Sequence, residues 1–402
     1  MKLLKLIFIL AFLSGNFSFC KSSPHQREEK KPLEISENPI LPGADRIDAY
    51  LPHLKGKSVA LAVNQTSILT QKDQLHLVDF LLEEGINVKK VFVPEHGFRG
   101  EADAGEKVEN EIDPKTGLPL VSLYGNSKKP SLEALSDVDI VIFDIQDVGI
   151  RFYTFISTLH YLMEACAEQG KKLMVLDRPN PNGDYIDGPV LKPGFESFVG
   201  MHPIPVVHGL TVGELARMIN EEGWLKNSVK ADLEIIPMAN WNHKRHYSLP
   251  IKPSPNLPND ISIRLYPSLC YFEGTKISLG RGTLFPFQVY GYPDPEFGDF
   301  TFTPISIEGM AKNPPLQNQL CYGKDLRNEP LSHRFTLKYL LEAYHIAGND
   351  PDFFNNFFDK LAGTDQLRKD ILAGKSEAEI RKTWQADLEN FKSLSAKYLL
   401  YE

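Results

Sequence analysis

Cysteine is scarce, four in 402 residues, and the three beyond the N-terminal segment, Cys166, Cys270 and Cys321, are odd in number and widely spaced. That spacing excludes a disulfide framework and paired-thiolate metal sites. Cys166, inside an apolar helical pattern, reads as a small core residue. Runs of Lys or Arg are missing as well, and the net charge is −8, so the chain lacks the basic footprint that binding nucleic acid requires. Beyond the N-terminus no apolar run is long enough to make a membrane helix. A GxGxxG after the first strand, a GxxxxGK[ST] loop, a GxSxG elbow and an HExxH pair are all absent. Dinucleotide, nucleoside triphosphate, serine-hydrolase and zinc-peptidase chemistry therefore lack their mechanical parts. A carboxylate mechanism with no cofactor and no metal is what remains.

The first residues, MKLLKLIFILAFLSGNFSFC, carry two lysines, an apolar run from Leu6 to Leu13 and then small and polar residues. This is the pattern of a secretory signal over residues 1–20, too short to span a bilayer. Cys20 sits where a lipoprotein signal places its acylated cysteine, followed by a polar tether through residue 42. The expected location is outside the cytoplasm, periplasmic or held on the outer membrane through a lipid on Cys20.

From residue 43 the texture alternates short β-branched runs with amphipathic stretches, as when helices cover both faces of a parallel sheet. KSVALAVN, VKKVFVP, VDIVIFDI and KKLMVLD read as strands. LHLVDFLLEEG and FYTFISTLHYLMEACAEQG read as helices between them. The fold class is α/β, with a parallel-sheet domain over 43–190 and a smaller α+β domain over 191–402. The second domain is to contain the capped helix TVGELARMINEEGW, the strand DLEIIPM, an aromatic and Gly/Pro-rich stretch, and a charged helix from Ser376 to Leu394.

Polar residues follow each strand: Asn64-Gln65-Thr66, Pro94-Glu95-His96-Gly97, Asp144-Ile145-Gln146-Asp147 and Asp177-Arg178-Pro179-Asn180. In an open parallel sheet all carboxyl ends lie on one edge, so these groups converge where such folds bind ligands. The densest stretch, VPEHGFRGEADAGEKV, packs Glu95, His96, Arg99, Glu101, Asp103 and Glu106 into a glycine-broken loop that can turn several side chains onto one crevice. Glu95, flanked by Val93, Pro94 and Phe98, is placed to act as general acid. Asp144, at the tip of a buried strand, needs a ligand or an Arg partner. Arg151 is the nearest, with clamping a substrate carboxylate as its other use. Asp147 is the expected cap of the following helix. Arg178 and Asn180 occupy a rigid polar turn, and His208 precedes a capping box formed by Thr211 and Glu214. Farther on, Glu273, Ser278, Arg281 and Thr283 gather among aromatics of the kind pyranose rings stack on.

VNQTS, VPEHGFRGEADAGEKV, DPKTGLPLVSLYG, FDIQDVGIRFYTFISTL, LDRPNPNG, VVHGLTVGEL, PSPNLP and EGTKISLGRGTLFPF, in this order, strongly resemble the NamZ-type exo-β-N-acetylmuramidases, long catalogued as a domain of unknown function. The resemblance runs from about residue 45 to the C-terminus. It implies a Rossmann-like domain joined to a smaller one, with the cleft between them as active site. It further implies release of terminal β-1,4-linked N-acetylmuramic acid from the non-reducing ends of peptidoglycan fragments, and it carries the family's catalytic glutamate onto Glu95, with His96 beside it. Asp144, Glu101 and Glu106 compete for the second carboxylate role. Asn64, Arg99, Gln146, Arg151, Asp177, Arg178, Asn180, His208, Glu273 and Arg281 are the expected substrate-binding groups. The competing reading is a periplasmic sugar or muropeptide binding protein that uses the same cleft without chemistry.

Overall fold

The computed structural model describes residues 38–95, 97–98, 111–125 and 127–401. Among these, the strands β1 (Ser58–Val63), β2 (Asn87–Val93), β3 (Glu111–Ile112), β4 (Pro119–Ser122), β5 (Ile140–Asp144), β6 (Lys172–Leu176) and β7 (Asp232–Ile236) form one sheet in the order β7-β6-β5-β1-β2-β4-β3. Every pairing is parallel except that of β3 with β4.

Both faces of the sheet are buried, which is why its strands are continuous rather than alternating apolar runs. Successive residues divide between two cores. Ala60, Ala62, Val141, Phe143, Leu173 and Val175 pack on one side, while Val59, Leu61, Val63, Ile140, Ile142, Met174 and Leu176 pack on the other. Helix α1 (Leu77–Glu83) covers the second face and α2 (Phe155–Gln169) the first. The next helix, α3 (Val212–Glu221), starts at the expected capping box, with Thr211 accepting from the Glu214 amide and Glu214 from that of Thr211.

The segment DLEIIPM does not belong to a separate second part. It supplies β7, the edge strand paired in parallel with β6 from Asp232 to Ile236. Its alternation of acidic and apolar residues over Asp232–Ile235 suits an edge position, and sequence texture alone does not distinguish that from a strand elsewhere.

The remaining chain adds helix α4 (Asp260–Leu269) and a small antiparallel sheet of residues 289–292, 300–302 and 321–325, followed by short helices. Pro267 lies inside α4, where its missing N–H strips the Ile263 carbonyl of its helical partner. The Asn182 side-chain amide donates to that carbonyl at 3.3 Å. The charged stretch expected as one helix forms two, Glu377–Lys382 and Gln385–Ser395, broken where Trp384 turns inward to 3% exposure.

Arg151 joins these parts. It is fully buried, and its guanidinium donates to the carbonyls of Pro189 at 2.6 Å, Ile204 at 2.9 Å, Leu361 at 2.8 Å and Ala362 at 2.7 Å. Gly363, in a left-handed turn, allows this approach, since a Cβ there would stand 2.7 Å from Arg151 Nη2. Arg151 is therefore neither the partner of Asp144 nor a clamp in a ligand cleft. Burial without a carboxylate pulls its pKa down to about 10, and four carbonyl dipoles take the place of a counter-ion. Replacement by Met leaves those four acceptors without donors, so Arg151→Met should lower the unfolding free energy by roughly 3–5 kcal/mol. Denaturant titration that shows less than about 1 kcal/mol of loss would refute this assignment.

Candidate active site

The polar strand ends do meet, but they close on one another. Asn64 Oδ1 accepts from the Thr66 amide at 2.9 Å and the Thr66 hydroxyl at 2.6 Å, and Thr66 Oγ1 accepts in turn from the Gln146 amide at 3.0 Å. The Ser67 hydroxyl donates to the Asp144 carbonyl. Arg178 grips the Asp144 carboxylate through Nε at 2.5 Å and Nη2 at 2.8 Å. Asp144 and Asn64 are fully buried, and Gln146 and Arg178 nearly so. The reversal of strand order around β1, where open α/β sheets hold their ligands, is thus plugged by side chains. Asp144 has the arginine partner its burial demands, but that partner is Arg178, and the pair is part of the fold.

Asp177 is also buried. It accepts from the Thr211 hydroxyl at 2.7 Å, the Gly213 amide at 2.8 Å, the Tyr401 hydroxyl at 2.6 Å and its neighbour's amide, Arg178 N, at 3.0 Å. Gln146 and Asn180 likewise spend their amides on backbone carbonyls, those of Asp147 and Pro179 for Gln146 and that of Leu210 for Asn180. None of these residues faces the hollow described next. Asp147 caps no helix, because α2 begins eight residues later. It turns the chain instead, accepting from the Gly149 amide at 2.6 Å. Gly149 sits in a left-handed turn against Asn180, with no room for a side chain.

The hollow opens beside Glu95 and encloses about 230 Å³. Glu95 follows β2, and its carboxylate accepts from the Tyr124 hydroxyl at 2.9 Å and the Thr154 hydroxyl at 2.8 Å. Tyr124 comes from the chain just after β4, and Thr154 from the start of α2. Burial first, and the Glu95 charge second, push the Tyr124 pKa above its ordinary value, so Tyr124 stays a donor. A protonated Glu95 turns this arrangement round, since either hydroxyl can accept while the acid proton goes to a ligand.

Glu273 and Arg281 stand in the same hollow. Arg281 Nε and Nη2 both donate to Glu273 Oε1, at 2.7 and 2.6 Å, leaving Oε2 with the Cys270 thiol at 3.8 Å. Burial pulls the Arg281 pKa down, but Glu273 more than offsets it and leaves it raised. The expected neighbours Ser278 and Thr283 are buried in the turn below, where both bond to Gly280. The walls are aromatic, with Phe152, Tyr153, Tyr266, Phe287, Phe198 and Phe357.

The segment PSPNLP closes one side of the hollow. It is tied to the sheet rim by Gln65, whose Nε2 reaches the Lys252 and Pro253 carbonyls at 3.3 Å, and by the Tyr153 hydroxyl at 2.8 Å from Pro253. From that segment Asn256 lines the hollow, its Oδ1 buried without a partner among the described residues. His96, Arg99, Glu101, Asp103 and Glu106 lie outside the described residues. Among the described residues no three His, Cys, Asp or Glu side chains gather to hold a metal ion.

Sequence reasoning thus placed Glu95, Glu273 and Arg281 in regions that the fold brings together. It passed over Tyr124, Thr154 and Asn256. The rule that singled out the other strand ends reaches Tyr124, two residues beyond β4. Asn256 and Thr154 stand within quoted motifs but carry no charge to draw notice.

His208 is fully buried, with Nδ1 accepting from the Leu210 amide at 3.2 Å. Its Nε2 lies 3.9 Å from Asp147 Oδ2, too far for a hydrogen bond. Burial pushes the His208 pKa down to about 3 and that of Asp147 up to about 7, so both are neutral at mildly acid pH and form no ion pair. A raised carboxyl pKa gives stability that is full below the unfolded value near 3.8 and is lost as pH rises through about 7. The lowered histidine contributes in the opposite sense, its stability being present above 6.5 and lost as pH falls toward 3. Asp147→Asn should therefore flatten the fall in stability between pH 4 and 7 and match or exceed the wild type at pH 8. Melting curves across that range are the check, and an unchanged profile contradicts the assignment.

The chain matches two family models in succession, exo-beta-N-acetylmuramidase NamZ, N-terminal, over residues 59–261 and its C-terminal counterpart over residues 264–401. It is 38% identical to the peptidoglycan beta-N-acetylmuramidase NamZ of Bacillus subtilis (strain 168), over 98% of this chain and 99% of that protein. Two crystal structures of DUF1343 family proteins from Bacteroides fragilis NCTC 9343 have the same fold. One is 48% identical with a TM-score of 0.84, covering 91% of this chain and 99% of its own. The other is 29% identical with a TM-score of 0.78, covering 90% and 99%. With both halves matched in order and the likeness extending over nearly the whole length, the chain belongs to the exo-beta-N-acetylmuramidase NamZ family.

Proposed function

We propose that this chain is an exo-acting glycoside hydrolase that releases terminal β-1,4-linked N-acetylmuramic acid from the non-reducing ends of peptidoglycan fragments. The observation that carries the reading is the meeting of Glu95 and Glu273 in one aromatic-walled hollow, within a family of this activity. Glu95 is the general acid, protonating the glycosidic oxygen, with the Tyr124 and Thr154 hydroxyls fixing its carboxyl plane. Glu273 is the second carboxylate. Arg281 holds one of its oxygens, which leaves Oε2 to act as nucleophile or to activate water. Asp144, bound to Arg178, drops out of that role. The rings of Tyr266 and Phe287 offer faces for the sugar.

Arg281 is the cation of the hollow among the described residues, and its remaining N–H groups suit the lactyl carboxylate that distinguishes muramic acid from glucosamine. The reading as a binding protein without chemistry finds no support in the family membership.

Glu95→Gln should lower turnover of a chromogenic β-muramide by about 10²–10⁴-fold and leave the unfolding midpoint where it is. Glu273→Gln should do the same, whereas Arg281→Lys should raise KM more than it lowers kcat. Activity retained in Glu95→Gln would remove that residue from the mechanism.

We also propose that the chain is exported and either periplasmic or anchored to the outer membrane through Cys20, on the strength of the two lysines and the Leu6–Leu13 run. Mass spectrometry of the mature protein should then show an N-terminus at or after Cys20. A retained Met1 would contradict export by this signal.

A further inference from the structure

From Glu95 the wall of the hollow continues through Tyr124 to Phe198, the Tyr124 and Phe198 rings standing 6.2 Å apart. Phe198 is held firmly in place. It shares with Val199 the tip of a tight turn closed by Ser197 and Gly200, whose amides donate to each other's carbonyls at 2.9 and 3.0 Å. Two residues of α2 back it. The Ser157 hydroxyl donates to the Phe198 carbonyl at 2.7 Å, and the Tyr161 ring stacks on the Phe198 ring with 6.4 Å between centroids.

Over the Phe198 ring lies Lys128 Nζ, 4.4 Å from its centroid. An aromatic face attracts an ammonium but leaves its charge unneutralised. The next residue in sequence is bound quite differently, Lys129 reaching Glu164 at 3.1 Å and Glu168 at 2.7 Å on α2. Lys128 is half-buried and makes no ion pair among the described residues. Its stem rests on apolar surface while its ammonium donors still lack a carboxylate.

The direction of the reaction gives this cation a use. A general acid must stand within hydrogen-bond reach of the glycosidic oxygen, so the departing chain leads away from the terminal sugar on the Glu95 side of the hollow. The groups that adjoin Glu95 there are Tyr124, Phe198 and, over Phe198, Lys128. Arg281, paired with Glu273, serves the terminal sugar. The departing part of a peptidoglycan strand begins with a neutral N-acetylglucosamine. The muramic acid that follows it carries a lactyl carboxylate, or a peptide stem with carboxylates of its own.

We propose that Lys128, resting on Phe198, binds a carboxylate of the departing chain and so makes the enzyme favour substrates longer than a disaccharide. The inference rests on the glycosidase reading, with Glu95 as the acid. Lactyl and stem carboxylates share the recognition chemistry of a charge-assisted hydrogen bond, and the substrates below separate them.

The test compares KM for the disaccharide of N-acetylmuramic acid linked to N-acetylglucosamine with KM for the tetrasaccharide of two such units, the latter with and without peptide stems. Lys128→Met keeps an apolar stem on the ring and removes the charge. It should raise KM for the tetrasaccharide at least about threefold and leave kcat and the disaccharide KM unchanged, and Lys128→Arg should restore the wild-type values. In the wild type, KM for the tetrasaccharide should climb with ionic strength more steeply than KM for the disaccharide, a measurement that needs no variant. A shift on the bare tetrasaccharide identifies the lactyl carboxylate as the ligand, and a shift on the stem-bearing one alone identifies the stem. Equal KM shifts on disaccharide and tetrasaccharide, or none on either, overturn the proposal, as does one salt response shared by both substrates. A wild type that turns over neither substrate removes the glycosidase reading and this inference with it, whereas normal turnover indifferent to Lys128→Met removes this inference alone.

Discussion

Arg151 is a buried cation with no carboxylate beside it among the described residues, and the structure is arranged to make that tolerable. An isolated charge taken out of water costs many kcal/mol unless dipoles replace its hydration. Here four carbonyl oxygens, from Pro189, Ile204, Leu361 and Ala362, converge on one planar fork. They come from segments far apart in sequence, so the charge can be satisfied only when the part of the chain around β5 and the part near residue 360 are already in register. The hollow beside Glu95 inherits its shape from that registration, because its walls come from both parts. Phe152, Tyr153 and Thr154 follow Arg151 directly, while Phe357 sits four residues ahead of one of its acceptors.

The same economy explains where the hollow is. An open parallel sheet offers a crevice where its strand order reverses, and here that crevice is filled by Asn64, Thr66, Asp144, Gln146 and Arg178, bonded to each other or to nearby backbone. What remains open lies to one side, beyond the ends of β2 and β4, where Glu95 and Tyr124 face the segment PSPNLP and the pair Glu273–Arg281. The fold thus keeps the topology of a ligand-binding sheet while moving the ligand's place off its centre. A well-paired polar network stiffens its surroundings, and this one, in which Asn64 Nδ2 alone is buried without a partner among the described residues, backs the rim to which Gln65 ties the opposite wall.

Much of this was legible in the sequence because burial on both faces leaves a plain signature. The runs VALAV and IVIF have no polar interruption, and both became central strands. The capping box at Thr211 was equally plain, since it is written in residues three apart. What the sequence hid was direction. A charged residue at a strand tip looks the same whether it turns toward a ligand or toward an arginine 34 positions later, as Asp144 does toward Arg178. Arg151 was misjudged for the same reason, because carbonyl groups exist at every residue and their convergence leaves no mark on composition. Glu273 and Arg281 were easier, being eight residues apart in a segment already rich in aromatics and glycine.

Tyr401 donates its hydroxyl to Asp177 at the end of β6 and accepts from the Met238 amide, while the Leu400 amide donates to the buried Glu214. All described strands of the central sheet have been synthesised by residue 236, yet the buried groups Asp177, Glu214 and Arg151 complete their hydrogen bonds only with partners from residues 361–401. A nascent chain that has just emerged with its sheet complete holds buried charges that are only partly paired, and their pairing is finished only when translation has run some 160 residues further. The interior of the sheet is thus finished by the last stretch of the chain to be made.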